Sequence, residues 1–118
     1  MNNKASMVPI INSFTFDAST TTLTQEVQEN GWAQVIKVDV PAFTNAITAT
    51  VTITDRNGYT VFVSTALAKG AVAAIGDLIT AGEVGGVPMD YRYTVNVTLS
   101  GAAGGAGGAV KVMMYLKK

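Results

Sequence analysis

The chain has 118 residues with 8 basic and 8 acidic side chains, no histidine and no cysteine. That length holds one modest core and no separate regulatory module. Without cysteine there are no disulfide frameworks, iron–sulfur clusters or thiolate zinc sites. Without histidine, Ser-His-Asp catalysis, imidazole metal sites and a switch near neutral pH are excluded in their ordinary forms. A formal charge of +0 leaves no basic footprint for nucleic acid, whose non-specific binding needs many Lys/Arg-to-phosphate contacts.

Residues 1–9 read as a flexible N-terminal arm preceding one β-sandwich domain over 10–118. Such a segment orders against a neighbour by main-chain pairing at an exposed sheet edge, or stays an untethered tail; this makes Val8 and Pro9 candidate contact residues. The start lacks the apolar run of a signal peptide. No stretch of about 20 apolar residues spans a bilayer, so the reading is a protein made in the cytoplasm with no membrane partner.

Residues 10–16 and 22–28 are the first strand candidates. In 32–40, Trp32, Gln34, Ile36, Val38 and Val40 alternate with Ala33, Val35, Lys37 and Asp39, and Pro41 ends the ladder because it has no backbone donor. Residues 46–54 give the clearest period of two. Ile47, Ala49, Val51 and Ile53 form the apolar face, and Thr48, Thr50, Thr52 and Thr54 the wet one.

Asp55, Asn57 and Gly58 mark a hairpin turn. A three-residue loop of Arg56, Asn57 and Gly58 sets Thr54 opposite Thr60, Ile53 opposite Val61 and Val51 opposite Val63, which keeps the apolar sides together. Gly58 then takes the left-handed conformation. Residues 59–64 form the return strand.

Between Thr65 and Pro88 the alternation lapses. Ser64 or Thr65 can cap one helical turn ended by Gly70, and 72–75 form a short strand. Residues 89–100 read as one long strand, with Met89, Tyr91, Tyr93, Val95, Val97 and Leu99 opposite Asp90, Arg92, Thr94, Asn96, Thr98 and Ser100. The glycine-alanine run 100–109 reads as a mobile tip.

In the closing strand, 109–116, Val110, Val112, Met114 and Leu116 face the core. Met113 and Tyr115 lie on the other side with Lys111 and Lys117, so the strand is apolar on both sides near its centre. A strand of that kind is covered on its outer face, which makes Met113 and Tyr115 candidate interface residues.

Seven or eight short strands with glycine-rich turns and no long helix predict an all-β, antiparallel β-sandwich, jelly-roll-like, with an immunoglobulin-like sandwich as the alternative. No catalytic, cofactor-binding or metal-ligating constellation survives inspection. The glycine run lacks the Gly-Lys-Ser/Thr of a phosphate loop, the 55–58 turn lacks the alternate ligands of a calcium loop, and the carboxylates scatter through turns and wet faces. Trp32, Tyr59, Tyr91 and Tyr93 can be drawn as a sugar platform, but Tyr91, Tyr93 and Trp32 continue apolar faces and read as core or rim packing.

The run Val38-Asp-Val-Pro41, then Thr50-Val-Thr-Ile-Thr-Asp-Arg-Asn-Gly58-Tyr, then Val61-Phe-Val-Ser-Thr-Ala-Leu-Ala68 resembles small tailed-phage virion proteins encoded among head genes. So does the strand Val95-Asn-Val-Thr-Leu-Ser-Gly-Ala102, leading through glycines to Met113-Met-Tyr-Leu116. The resemblance implies a jelly-roll decoration or cement protein on the capsid exterior. It would be homo-oligomeric, stapling subunits of the major capsid protein, and have no catalytic residues. The alternatives are a neck, tail or fibre component and a carbohydrate-binding sandwich.

Overall fold

The computed structural model describes residues 7–75, 87–89 and 92–117. They form ten strands: β1 (Met7–Phe16), β2 (Thr22–Val27), β3 (Gly31–Asp39), β4 (Thr48–Thr54), β5 (Thr60–Val63), β6 (Leu67–Ala68), β7 (Val72–Ile75), β8 (Val87–Met89), β9 (Tyr93–Leu99) and β10 (Gly108–Lys117). One sheet has the order β1-β10-β3-β7, with β8 also on β3; the other has the order β2-β9-β4-β5, with β6 also on β4. Every pairing is antiparallel.

The first strand pairs with the last and the second with the last but one. Strands β1 to β4 therefore alternate between the two sheets. This is a long hairpin rolled over itself, the jelly roll. It is not the immunoglobulin arrangement, in which neighbouring hairpin strands share a sheet.

The inward faces carry the core. Phe14 and Phe16 of β1, Ile36 and Val38 of β3, and Val110, Val112, Met114 and Leu116 of β10 pack against Ala49, Val51 and Ile53 of β4 and Tyr93, Val95, Val97 and Leu99 of β9, all buried. Each large aliphatic side chain so buried is worth about 1.5–3 kcal/mol of transfer free energy. Phe16 meets Phe43 edge-on, with ring centroids 6.4 Å apart at 88°.

Tyr93 is buried with its hydroxyl unpartnered among the described residues. Burial, with the nearby Glu29 charge second, pushes its phenol up to about 12. Tyr93→Phe removes an unsatisfied group whose desolvation costs free energy, so it should raise the urea midpoint, by about 1 kcal/mol of stability. The native state holds the phenolic proton more tightly than the unfolded chain does. Stability therefore falls as pH rises from about 10 towards 12, and the Phe variant should lose that part of the alkaline slope. A variant less stable than the parent would show that the hydroxyl has a partner.

Several local expectations are corrected. β3 does not alternate throughout: Tyr115 faces Val35 but Leu116 faces Ala33, so Gln34 is an extra residue. This bulge flips the parity, leaving Ala33 and Ile36 both buried and Trp32 on the outside, 44% exposed.

In the β4–β5 hairpin the Gly58 amide donates to the Asp55 carbonyl (3.0 Å) and the Asp55 amide to the Tyr59 carbonyl (2.8 Å). Asp55 Oδ1 accepts from the amides of Asn57 (2.9 Å) and Tyr59 (3.0 Å), and Gly58 has φ 89°. Thr54 does face Thr60, but Ile53 faces Phe62 and Thr52 faces Val63. Val61 is thus the extra residue of a bulge. Val61 and Phe62 both pack against the core, and Val63 is left exposed.

The helical turn after Ser64 does not form. Leu67–Ala68 pairs instead with Thr48 and Ala49, and the Ser64 hydroxyl accepts from the Val51 amide (2.9 Å). Burial of Leu67 against the core outweighs the local capping preference. The 89–100 stretch divides: Met89 pairs with Gly31 in one sheet and Tyr93 with Val27 in the other, and Arg92, just before β9, has φ 70°. Asp90 and Tyr91 lie outside the described residues.

The glycine run is also packed instead of loose. Ala103 is buried and its carbonyl accepts from the Asn45 amide (3.0 Å), while the Gly104 amide donates to the Ala18 carbonyl (3.0 Å). Gly104, Gly105 and Gly107 all sit at positive φ. At the facing turn, Asp17 Oδ1 accepts from the amides of Ser19 (2.9 Å) and Thr20 (2.7 Å), which holds its carboxyl at about 2. Met7, Val8 and Pro9, assigned to the arm by the sequence, are strand residues opposite Lys117, Leu116 and Tyr115. Residues 1–6 lie outside the described residues.

Candidate functional site: two unlike outer faces

The outward positions of the two sheets differ in chemistry. On the β2-β9-β4 face the register sets Thr22, Thr98 and Thr50 in one row, Thr24, Asn96 and Thr52 in the next, and Glu26, Thr94 and Thr54 in a third. In the first two rows the groups on β2 and β9 bond one another. Asn96 Nδ2 donates to the hydroxyls of Thr22 (3.0 Å) and Thr24 (2.9 Å), and the Thr98 hydroxyl donates to Asn96 Oδ1 (2.7 Å). The polar groups of β2 and β9 in these first two rows already have partners and gain little by docking.

The β1-β10-β3 face is built otherwise. Pro9, Tyr115 and Val35 form one row and Ile11, Met113 and Lys37 the next; Ser13, Lys111, Asp39 and Val72 form a third. Ile11 is 61% exposed and Val72 71% exposed, while Val35, Met113 and Tyr115 are half-buried by their neighbours. The Lys37 ammonium lies over the Tyr115 ring, 5.5 Å from its centre, a cation–π attraction. Trp32, opposite Lys117, closes one end.

Of the residues singled out from the sequence, the register brings Pro9, Met113 and Tyr115 together. Val8 is one position out of phase with them, opposite Leu116. Asp55, Asn57 and Gly58 lie apart, in the β4–β5 turn of the other sheet. Ile11, Val35 and Val72 belong to the apolar face and were missed; the signal for Ile11 was present, since it shares the parity of Pro9.

The aromatic platform is not assembled. Trp32 lies on the outer face of one sheet, Tyr59 is 72% exposed in the turn before β5 of the other, and Tyr93 is in the core; Tyr91 lies outside the described residues. Among the described residues no three carboxylates converge as a metal site would require, and no helix is long and apolar enough to cross a membrane.

No family model matches the chain, and no curated protein matches it. Among solved structures, the SPBc2 prophage-derived protein YomS is similar with a TM-score of 0.51 and 13% identity, over 92% of this chain and 95% of that one. TmCBM61, solved in complex with β-1,4-galactotriose, gives 0.47 and 12% identity, over 98% of this chain and 85% of that one. The VP2 subviral particle of infectious bursal disease virus gives 0.46 and 14% identity, over 98% of this chain but 33% of VP2. At such identities the likeness to YomS concerns the fold alone.

Proposed function

We propose that this chain is a non-enzymatic virion structural protein. In this reading it is a decoration or cement protein, made in the host cytoplasm, that binds the outside of a phage head as a homo-oligomer and staples neighbouring subunits of the major capsid protein. The observation that carries the reading is the contrast between the faces. One sheet turns a self-bonded threonine surface outward, and the other turns out Pro9, Ile11, Val35, Met113, Tyr115 and Val72. These apolar side chains lie beside Lys37, Lys111 and Asp39, and an exposed apolar patch rimmed by polar groups is the make-up of a protein–protein interface. The jelly-roll strand order and the neutral charge, which offers nothing to the packaged genome, support the same reading.

Purified protein mixed with genome-emptied or expanded heads should co-sediment with them in many copies per particle and raise their melting temperature. Absence of binding removes the proposal. Binding at only one ring or a few sites per virion assigns the chain to the neck, tail or fibre instead.

A further inference from the structure

We propose that a cleft at the β4–β5 end of the threonine-faced sheet binds a neutral oligosaccharide. The cleft lies on the sheet opposite the apolar face, so this inference does not depend on the capsid reading. Its volume is about 410 Å³, within the roughly 300–1,000 Å³ of small-molecule sites.

Glu26, Thr94 and Thr54, which share one row across β2, β9 and β4, line it together with Asp55 and Arg56 from the turn and Arg92 just before β9. Asp55 Oδ1 already serves the turn amides, so the groups chiefly offered to a ligand are the Glu26 carboxylate as acceptor, the Arg92 guanidinium as donor and the Thr54 and Thr94 hydroxyls as both. Among the described residues no aromatic or aliphatic side chain lines it, and the groups that do are suited to a polar ligand. The two carboxylates offset the two guanidiniums, so a simple anion gains little. A polyol, whose every hydroxyl both donates and accepts, fits this alternation of donors and acceptors.

A second observation points to the same place. Arg92 is the one non-glycine residue at positive φ (70°) among the described residues. Backbone strain of this kind clusters at ligand sites, where it holds a side chain in position, and here it sets the arginine at the cleft.

The test is an amide-resolved NMR titration of the full chain with a panel of neutral hexose and N-acetylhexosamine trisaccharides. Inorganic phosphate and inorganic sulfate serve as separate arms. Saccharide should shift the amides of Thr54, Arg92 and Thr94. Arg92→Gly should weaken that binding about tenfold or more, because a charge-assisted hydrogen bond is lost, while raising the melting temperature by roughly 4 °C as the strain is relieved. A merely structural arginine would move stability alone. Should Arg92→Gly fail to fold, Glu26→Gln, at an exposed strand position, should weaken binding in the same way. The proposal is overturned by shifts with phosphate or sulfate only, by no saccharide shift at about 10 mM, where even millimolar ligands are mostly bound, or by saccharide binding unchanged in the variants that fold.

Discussion

Gly107→Ala is expected to cost about 2–4 kcal/mol, and Gly58→Val, at a glycine with a similar backbone, only about 1–2 kcal/mol. Both residues sit in the left-handed region, with φ 74° and 89°, and either side chain meets that conformational penalty of about 1 kcal/mol, slightly more for a β-branched one. Their surroundings decide the rest. A Cβ on Gly58 meets nothing within 4 Å, whereas one on Gly107 runs into the carbonyl of Phe16.

That carbonyl cannot retreat cheaply. Phe16 is fully buried, packs edge-on against Phe43 and pairs with Gly108 at the mouth of β10. Moving it disturbs the core as overpacking does, at about 1–3 kcal/mol. Denaturant midpoints at unchanged m-value give the comparison. If Gly107→Ala proved no more harmful than Gly58→Val, the packing of the glycine run against β1 would be wrong.

The second large effect is on assembly. Ile11→Asp combined with Met113→Glu places two carboxylates in adjacent positions of one row. Lys37 can pair with at most one of them, so burying the pair against a partner leaves a carboxylate uncompensated at a cost of several kcal/mol, and binding to emptied heads should fall by about a hundredfold or more. The isolated fold should change little, within about 1 kcal/mol, because Ile11 is already exposed and Lys37 neighbours Met113. Thr52→Glu on the opposite sheet is the control and should leave binding intact. If the control abolishes binding and the double variant does not, the docking face has been assigned to the wrong sheet.

How far the sequence could be read depended on whether anything interrupts the two-residue period. β4 and β10 were legible because Val51 and Ile53, or Val112 and Met114, alternate with polar or outward residues without a break, and burial rewards that alternation alone. At Gln34 and Val61 one residue is inserted opposite none, and no side-chain type announces it. Every position beyond the insertion then changes sides, which is how Trp32 came to be placed with Ile36.

Arg92 gave no warning of a boundary, since arginine rarely adopts the backbone found there. The glycine run looked loose because its side chains offer nothing to pack. Its order comes from main-chain bonds to Ala18 and from Asn45, which no periodicity encodes. For the candidate face, the doubly apolar centre of β10 was readable. Its extent was not, because Ile11, Val35 and Val72 join it only once β1, β3 and β7 lie alongside.

The position of β10 between β1 and β3 has a consequence for synthesis. A ribosome delivers both flanking strands long before the one that joins them, so throughout translation β1 and β3 wait with open edges and their apolar residues uncovered. Closure is a late, long-range event of the kind that folds slowly. Chaperone demand should therefore peak on nascent chains that still lack this central strand.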